Sequence, residues 1–144
     1  MEDWGELAQL EGVVLAACSG EVEWPAQVAA GIYAGIDFAI AHPEVVKVFS
    51  SDLEDRAGNL ARYVLIINRF TGLLQARAPV MERLPGSTDT ALVGGVIGLV
   101  GDHLRLGRTD RLAELRSDLV LLVLLPYLGF DDAKSWANRV DPSH

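Results

Sequence analysis

Residues 91–107 read ALVGGVIGLVGDHLRLG. The stretch has the apolar spacing of a helix, yet Gly94, Gly95, Gly98 and Gly101 interrupt it, and each glycine inside a helix costs about 1 kcal/mol relative to alanine. On a 100° wheel, Ala91 and the four glycines share one face, while Leu92, Val96, Leu99, Val100 and Leu104 share the opposite one. Neither face is polar. Such a helix is expected to be covered on both sides, its bulky face closing one core and its glycine face admitting a second backbone or a ligand at close range.

Working outward, the same 3.6-residue periodicity covers most of the chain, and no alternating strand pattern persists. The spacing therefore predicts an all-α fold, a compact bundle of about six or seven helices. A first helix is expected over Asp3 to Ala17, stopped by Ser19-Gly20, and a second from Trp24 until His42-Pro43 breaks it. A short helix over 43–51 and a long one over 53–78 follow, the latter with Tyr63, Ile67 and Phe70 on its apolar face. Ser87-Thr88-Asp89 offers capping side chains to the glycine-bearing helix, which Gly107 ends. Residues 108–116 read as a charged connector with one turn of helix at 112–115. Leu119 to Leu125 is hydrophobic all round and is expected to be buried on every side, ending at Pro126 and Gly129. A short helix over 131–136 and a frayed tail at 140–144 complete a single domain spanning 1–139.

Composition narrows the function. With 144 residues, half of them hydrophobic, the chain suits one globular domain. Its formal net charge of −8, and the isolation of its two lysines, Lys47 and Lys134, argue against a nucleic-acid backbone as a direct partner. The single cysteine, Cys18, suits a reducing compartment, and the acidic start lacks the pattern of a signal peptide, so a cytoplasmic location is expected. The uncharged apolar stretches fall short of the roughly 20 residues that span a bilayer.

No set of His, Cys, Asp or Glu has metal-ligand spacing, and no nucleophile elbow or dinucleotide-binding loop is present, so neither an enzyme nor a cofactor-binding protein is expected. Asn68, Thr71 and Gln75 cluster at the edge of an apolar helix face, where polar groups could orient a small molecule, with Tyr33, Phe38, Tyr63, Ile67 and Phe70 as walls and His103 as a further contact. The alternatives are that Asn68 and Gln75 mark a solvated boundary, that Thr71 bonds its own helix, and that His103 is a satisfied core residue. Asp37 is expected to face solvent, since a buried unpaired carboxylate is costly. Two helices carry more apolar surface than a monomer of this size readily hides. Pairing them with their twins would resolve this and place Gly94, Gly95, Gly98, Gly101, Leu121, Leu122 and Leu125 at a dimer interface. The competing reading is that one of them is the hub of a monomeric bundle.

Several pieces, in order, resemble the C-terminal half of TetR/AcrR-type transcriptional regulators: Trp24 to Ala30, Asp37-Phe38, His42-Pro43-Glu44, Leu92 to Ile97, and Leu119 to Gly129. The resemblance runs over about residues 3 to 138. It implies an effector-binding and dimerisation domain whose last two long helices pair with a second subunit as a four-helix bundle, with an effector cavity among the helices beginning near Asp3, Trp24, Leu53 and Thr88. The family's DNA-reading helix-turn-helix would precede this region, so direct DNA contact is not expected of these residues. The expected function is thus a ligand-sensing, homodimeric regulatory domain for a small apolar or aromatic effector; the rival is a helical interaction module with a filled core.

Overall fold

The computed structural model describes residues 2–42, 67–74 and 88–139, and every element among them is helical. We label these α1 (Glu2–Ser19), α2 (Trp24–Ala41), α3 (the described helical residues 67–74), α4 (Thr88–Arg105), α5 (Thr109–Glu114), α6 (Arg116–Leu128) and α7 (Phe130–Arg139). The expected helix over 43–51, most of that over 53–78, and the tail at 140–144 lie outside the described residues.

α1 and α2 form an antiparallel hairpin. Val14 lies against Gly31 and Gly35, and the Cys18 thiol donates a hydrogen bond to the Gln27 carbonyl at 3.3 Å, so descending positions of α1 meet ascending positions of α2. α2 then packs on α6, with α4 and α5 alongside. Two apolar clusters result. One joins Leu10 and Val14 of α1 to Ile36 of α2, Leu104 of α4, Leu112 of α5 and Leu119 of α6. The other joins Trp24 and Ala29 of α2 to Val120 and Leu124 of α6 and to Ala133 and Ala137 of α7. The last two are small residues one turn apart, which lets α7 lie close against α6.

Helix ends follow from local chemistry. Gly107, at φ +74°, closes α4: its N–H reaches Leu104 O at 3.1 Å, and the Arg108 N–H reaches His103 O at 2.8 Å, the paired bonds of a Schellman turn. Arg108 to Arg116, expected as a connector with one turn, instead holds the six-residue α5, because Leu112 is fully buried as its anchor. Pro126 does not end α6. A proline there removes only the bond to the Leu122 carbonyl, at an exposed residue, and the helix continues to Leu128, where the Gly129 N–H closes the last turn on Leu125 O at 2.9 Å.

Two expectations about faces are corrected. The inward arc of α4 runs through Val93, Val96, Ile97, Val100, Gly101 and Leu104. The wheel is therefore rotated from the sequence reading: Gly101 is buried within the chain, Gly94 faces the Ile67 side chain, and Gly95, Ala91 and Leu99 point outward. Likewise α6 is not buried on every side of this single chain. Leu119, Val120, Val123 and Leu124 are buried and Leu121 is half-buried, but Asp118, Leu122 and Leu125 form an exposed stripe, the two leucines at 43% and 38% exposure.

Two stability changes follow. Leu124→Ala empties a fully buried site and is expected to cost about 2–5 kcal/mol in urea unfolding, against under about 1 kcal/mol for Asp118→Ala at an exposed one. Gly129, at φ +83° and ψ 167°, occupies a region open essentially to glycine alone, so Gly129→Ala is expected to lower stability by about 1–3 kcal/mol in the same assay.

Candidate ligand cavity

A cavity of about 160 Å³ opens where five helices converge. α1 contributes Val14 and Cys18; α2 contributes Trp24, Gln27, Val28, Gly31 and Ile32. Phe70, Leu73 and Leu74 of α3 face them, with Val93, Val96 and Ile97 of α4 and Val123 of α6. For scale, a void near 150 Å³ lined by aliphatic and aromatic side chains can stay dry and admit benzene.

The sequence explains why the space exists. The positions 28, 31 and 32 turn one face of α2 toward α1 and α4. At Gly31 a Cβ would come within 3.0 Å of the Cys18 sulfur and 3.3 Å of Val14 Cγ1, so the missing side chain allows α1 to approach there. Around that contact, most of the aliphatic wall is β-branched: Val14, Val28, Ile32, Val93, Val96 and Ile97. Such side chains have restricted χ1 angles and cannot swing inward to fill the gap.

Among the described residues, no lining side chain is charged. The polar groups are few, and most are tied to the backbone. The Cys18 thiol donates to Gln27 O, and Gln27 Nε2 donates to Glu21 O at 3.1 Å. The indole N–H of Trp24, a residue only 6% exposed, has no hydrogen-bond acceptor among the described residues. Chemically, the lining suits contact with a small apolar molecule.

Of the residues singled out from sequence, Phe70 lines the cavity. Thr71 is its buried neighbour, its hydroxyl without a partner among the described residues. Ile67 and Phe38 belong to the first apolar cluster rather than the cavity wall, Phe38 lying 4.5 Å from the His42 ring, centroid to centroid. Tyr33 packs on the second cluster, with the Arg116 guanidinium 5.0 Å from its ring centroid. Asn68 is exposed. His103 Nδ1 sits 2.9 Å from Leu99 O and must donate to it, so that ring satisfies its own helix instead of reaching the cavity. Asp37 is exposed and pairs with Arg116 at 3.0 Å. Tyr63 and Gln75 lie outside the described residues.

The sequence reading placed a cavity among these helices but named none of the α1 and α2 residues that line it, above all Trp24, Val28 and Ile32. Their four-residue spacing was legible as an inward face; that the face borders a void rather than packed atoms was not. Among the described residues no group of three or more His, Cys, Asp or Glu side chains could hold a metal ion, and no helix is long and apolar enough to cross a membrane. Comparison with protein-family models, curated proteins and solved structures returns no match.

Proposed function

We propose that this chain is the ligand-sensing, dimer-forming domain of a TetR-like transcriptional regulator and that its effector is a small, neutral, apolar or aromatic molecule. The observation that carries this reading is the cavity with apolar described walls among α1, α2, α3 and α4, the helices among which the family resemblance puts an effector. Dimerisation is supported by the outward residues Gly95, Leu99, Leu122 and Leu125, which water covers poorly, on the adjacent helices α4 and α6, with half-buried Gly98 beside them. Gly94, Gly101 and Leu121 would support that face from behind. The net charge of −8 fits a domain that leaves DNA contact to another part of the regulator.

The mechanism uses the same two helices twice. α4 and α6 present Val93, Val96, Ile97 and Val123 to the cavity and their other sides to the proposed partner subunit. A ligand that fits one spacing of these helices better than another shifts the population of dimer arrangements, about tenfold for each 1.4 kcal/mol of differential affinity.

Indole or toluene at about 100 times its Kd is expected to stabilise the chain by about 2.7 kcal/mol, read as a rise in Tm of roughly 10 °C. Val28→Phe, which fills the cavity, should abolish the rise while preserving the helical circular dichroism. A chain that no apolar compound stabilises would be the filled-core interaction module instead. In sedimentation, the wild-type chain is expected to be a dimer at micromolar concentration and Leu122→Glu a folded monomer; a wild-type monomer would refute the proposed interface.

A further inference from the structure

We propose that the ligand of this cavity carries one uncharged hydrogen-bond acceptor, a carbonyl- or ether-type oxygen, received by the Trp24 indole N–H and the Tyr127 hydroxyl at the seam between α2 and α6. This rests on the ligand-binding reading of the cavity and specifies the chemistry of its occupant. Trp24 and Tyr127 meet edge to face, their ring centroids 4.9 Å apart and their planes at 69°. Trp24 Nε1 and the Tyr127 hydroxyl oxygen are both shielded from water, and neither has a hydrogen-bond partner among the described residues. More than nine in ten buried polar groups in folded proteins are satisfied, so two unmet groups at one contact, where Trp24 lines the cavity and Tyr127 packs on Trp24 behind it, mark a place where something is received.

The missing partner has a definite character. An indole N–H can only donate, and a phenol can donate as well, so the complement is an oxygen with two lone pairs. It is not a carboxylate or phosphate: among the described residues no cationic side chain lines the cavity, and an anion would leave water without compensation there. The oxygen reaches the N–H by displacing the Tyr127 ring rather than the indole. Tyr127 is half-buried in the last turn of α6, next to Pro126, where one backbone hydrogen bond is already missing; Trp24 is held in the second apolar cluster.

Acetophenone and α-methylstyrene test this, because they share a shape and differ in C=O against C=CH₂. In calorimetric titration of the full chain, acetophenone is expected to bind about tenfold more tightly than the alkene. Trp24→Phe removes the donor and should reverse the order, since the ketone then leaves water with nothing to receive it. Tyr127→Phe, a milder change that keeps the fold should the first variant unfold, should cut the preference several-fold. An alkene that binds the wild type as tightly as the ketone, or a preference that survives both substitutions, overturns the proposal and leaves the apolar-cavity reading standing. Failure of both compounds, together with indole and toluene, removes that reading and this one with it.

Discussion

The packing of α2 against α6 is the contact on which the remainder of the structure depends. Each helix serves both apolar clusters: α2 places Ile36 and Ala39 in the first and Trp24 and Ala29 in the second, while α6 places Leu119 in the first and Val120 and Leu124 in the second. Ile32, midway along α2, packs on both. Burying a side chain of this size contributes about 1.5–3 kcal/mol, so the seam concentrates much of the stabilisation of the described residues. It also determines where the cavity lies, because Trp24, Val28 and Ile32, which pack on the second cluster with α6, border it together with Val123 of α6.

Polar contacts locate elements more than they stabilise them. Arg116 starts α6 with three partners: the Ala113 carbonyl at 3.1 Å, the Asp37 carboxylate at 3.0 Å, and the Tyr33 ring. Asp37 is 61% exposed, so the ion pair itself is worth little in water. Its effect is directional, since it selects which turn of α2 the first turn of α6 meets. Arg69 and Glu11, 2.7 Å apart, relate α3 to α1 in the same way, and in that pair it is the arginine that is half-exposed. Burial of Ile67 beneath α4 and of Phe70 beside the cavity gives α3 the larger share of its attachment.

This division explains what was legible in the sequence. The limits of α2 and the end of α4 could be read because Pro25, His42-Pro43 and Gly107 act within a few residues of themselves. The end of α6 was read from Pro126 and Gly129 together; Gly129 does close it, while the passage of the helix through Pro126 depends on Leu122 being solvent-exposed, a tertiary fact. The rotation of α4 was misjudged for a related reason. Its glycine and leucine faces are both apolar, so the pattern carried no polar reference, and the inward wall extends from Val96 and Val100 of the bulky face through Val93 and Ile97 to Gly101. In the candidate site Phe70 was identified, whereas Phe38 was taken for a wall although it lies in the packed core. Periodicity reports that a side chain points inward, not whether it meets another atom or a gap.

That gap bears on why the cavity persists. A void of this volume left by truncating a core would cost about 4 kcal/mol by the usual volume scaling, a large fraction of the stability of a small domain. Long flexible side chains such as Met would relieve much of it, yet the walls are mainly valine and isoleucine, with Gly31 at the point of closest approach. Stiff walls retain the shape of the space whether or not it is filled. They also transmit an occupant's effect: where a molecule meets the β-branched walls, which have little freedom to rearrange, misfit is passed to the helices that carry them. Two of these, α4 and α6, also hold Leu99, Leu122 and Leu125 outward, and a displacement of either helix changes the surface available to whatever covers those residues. The same β-branched residues that leave the core incompletely filled thereby give the cavity mechanical access to the outer face of the bundle.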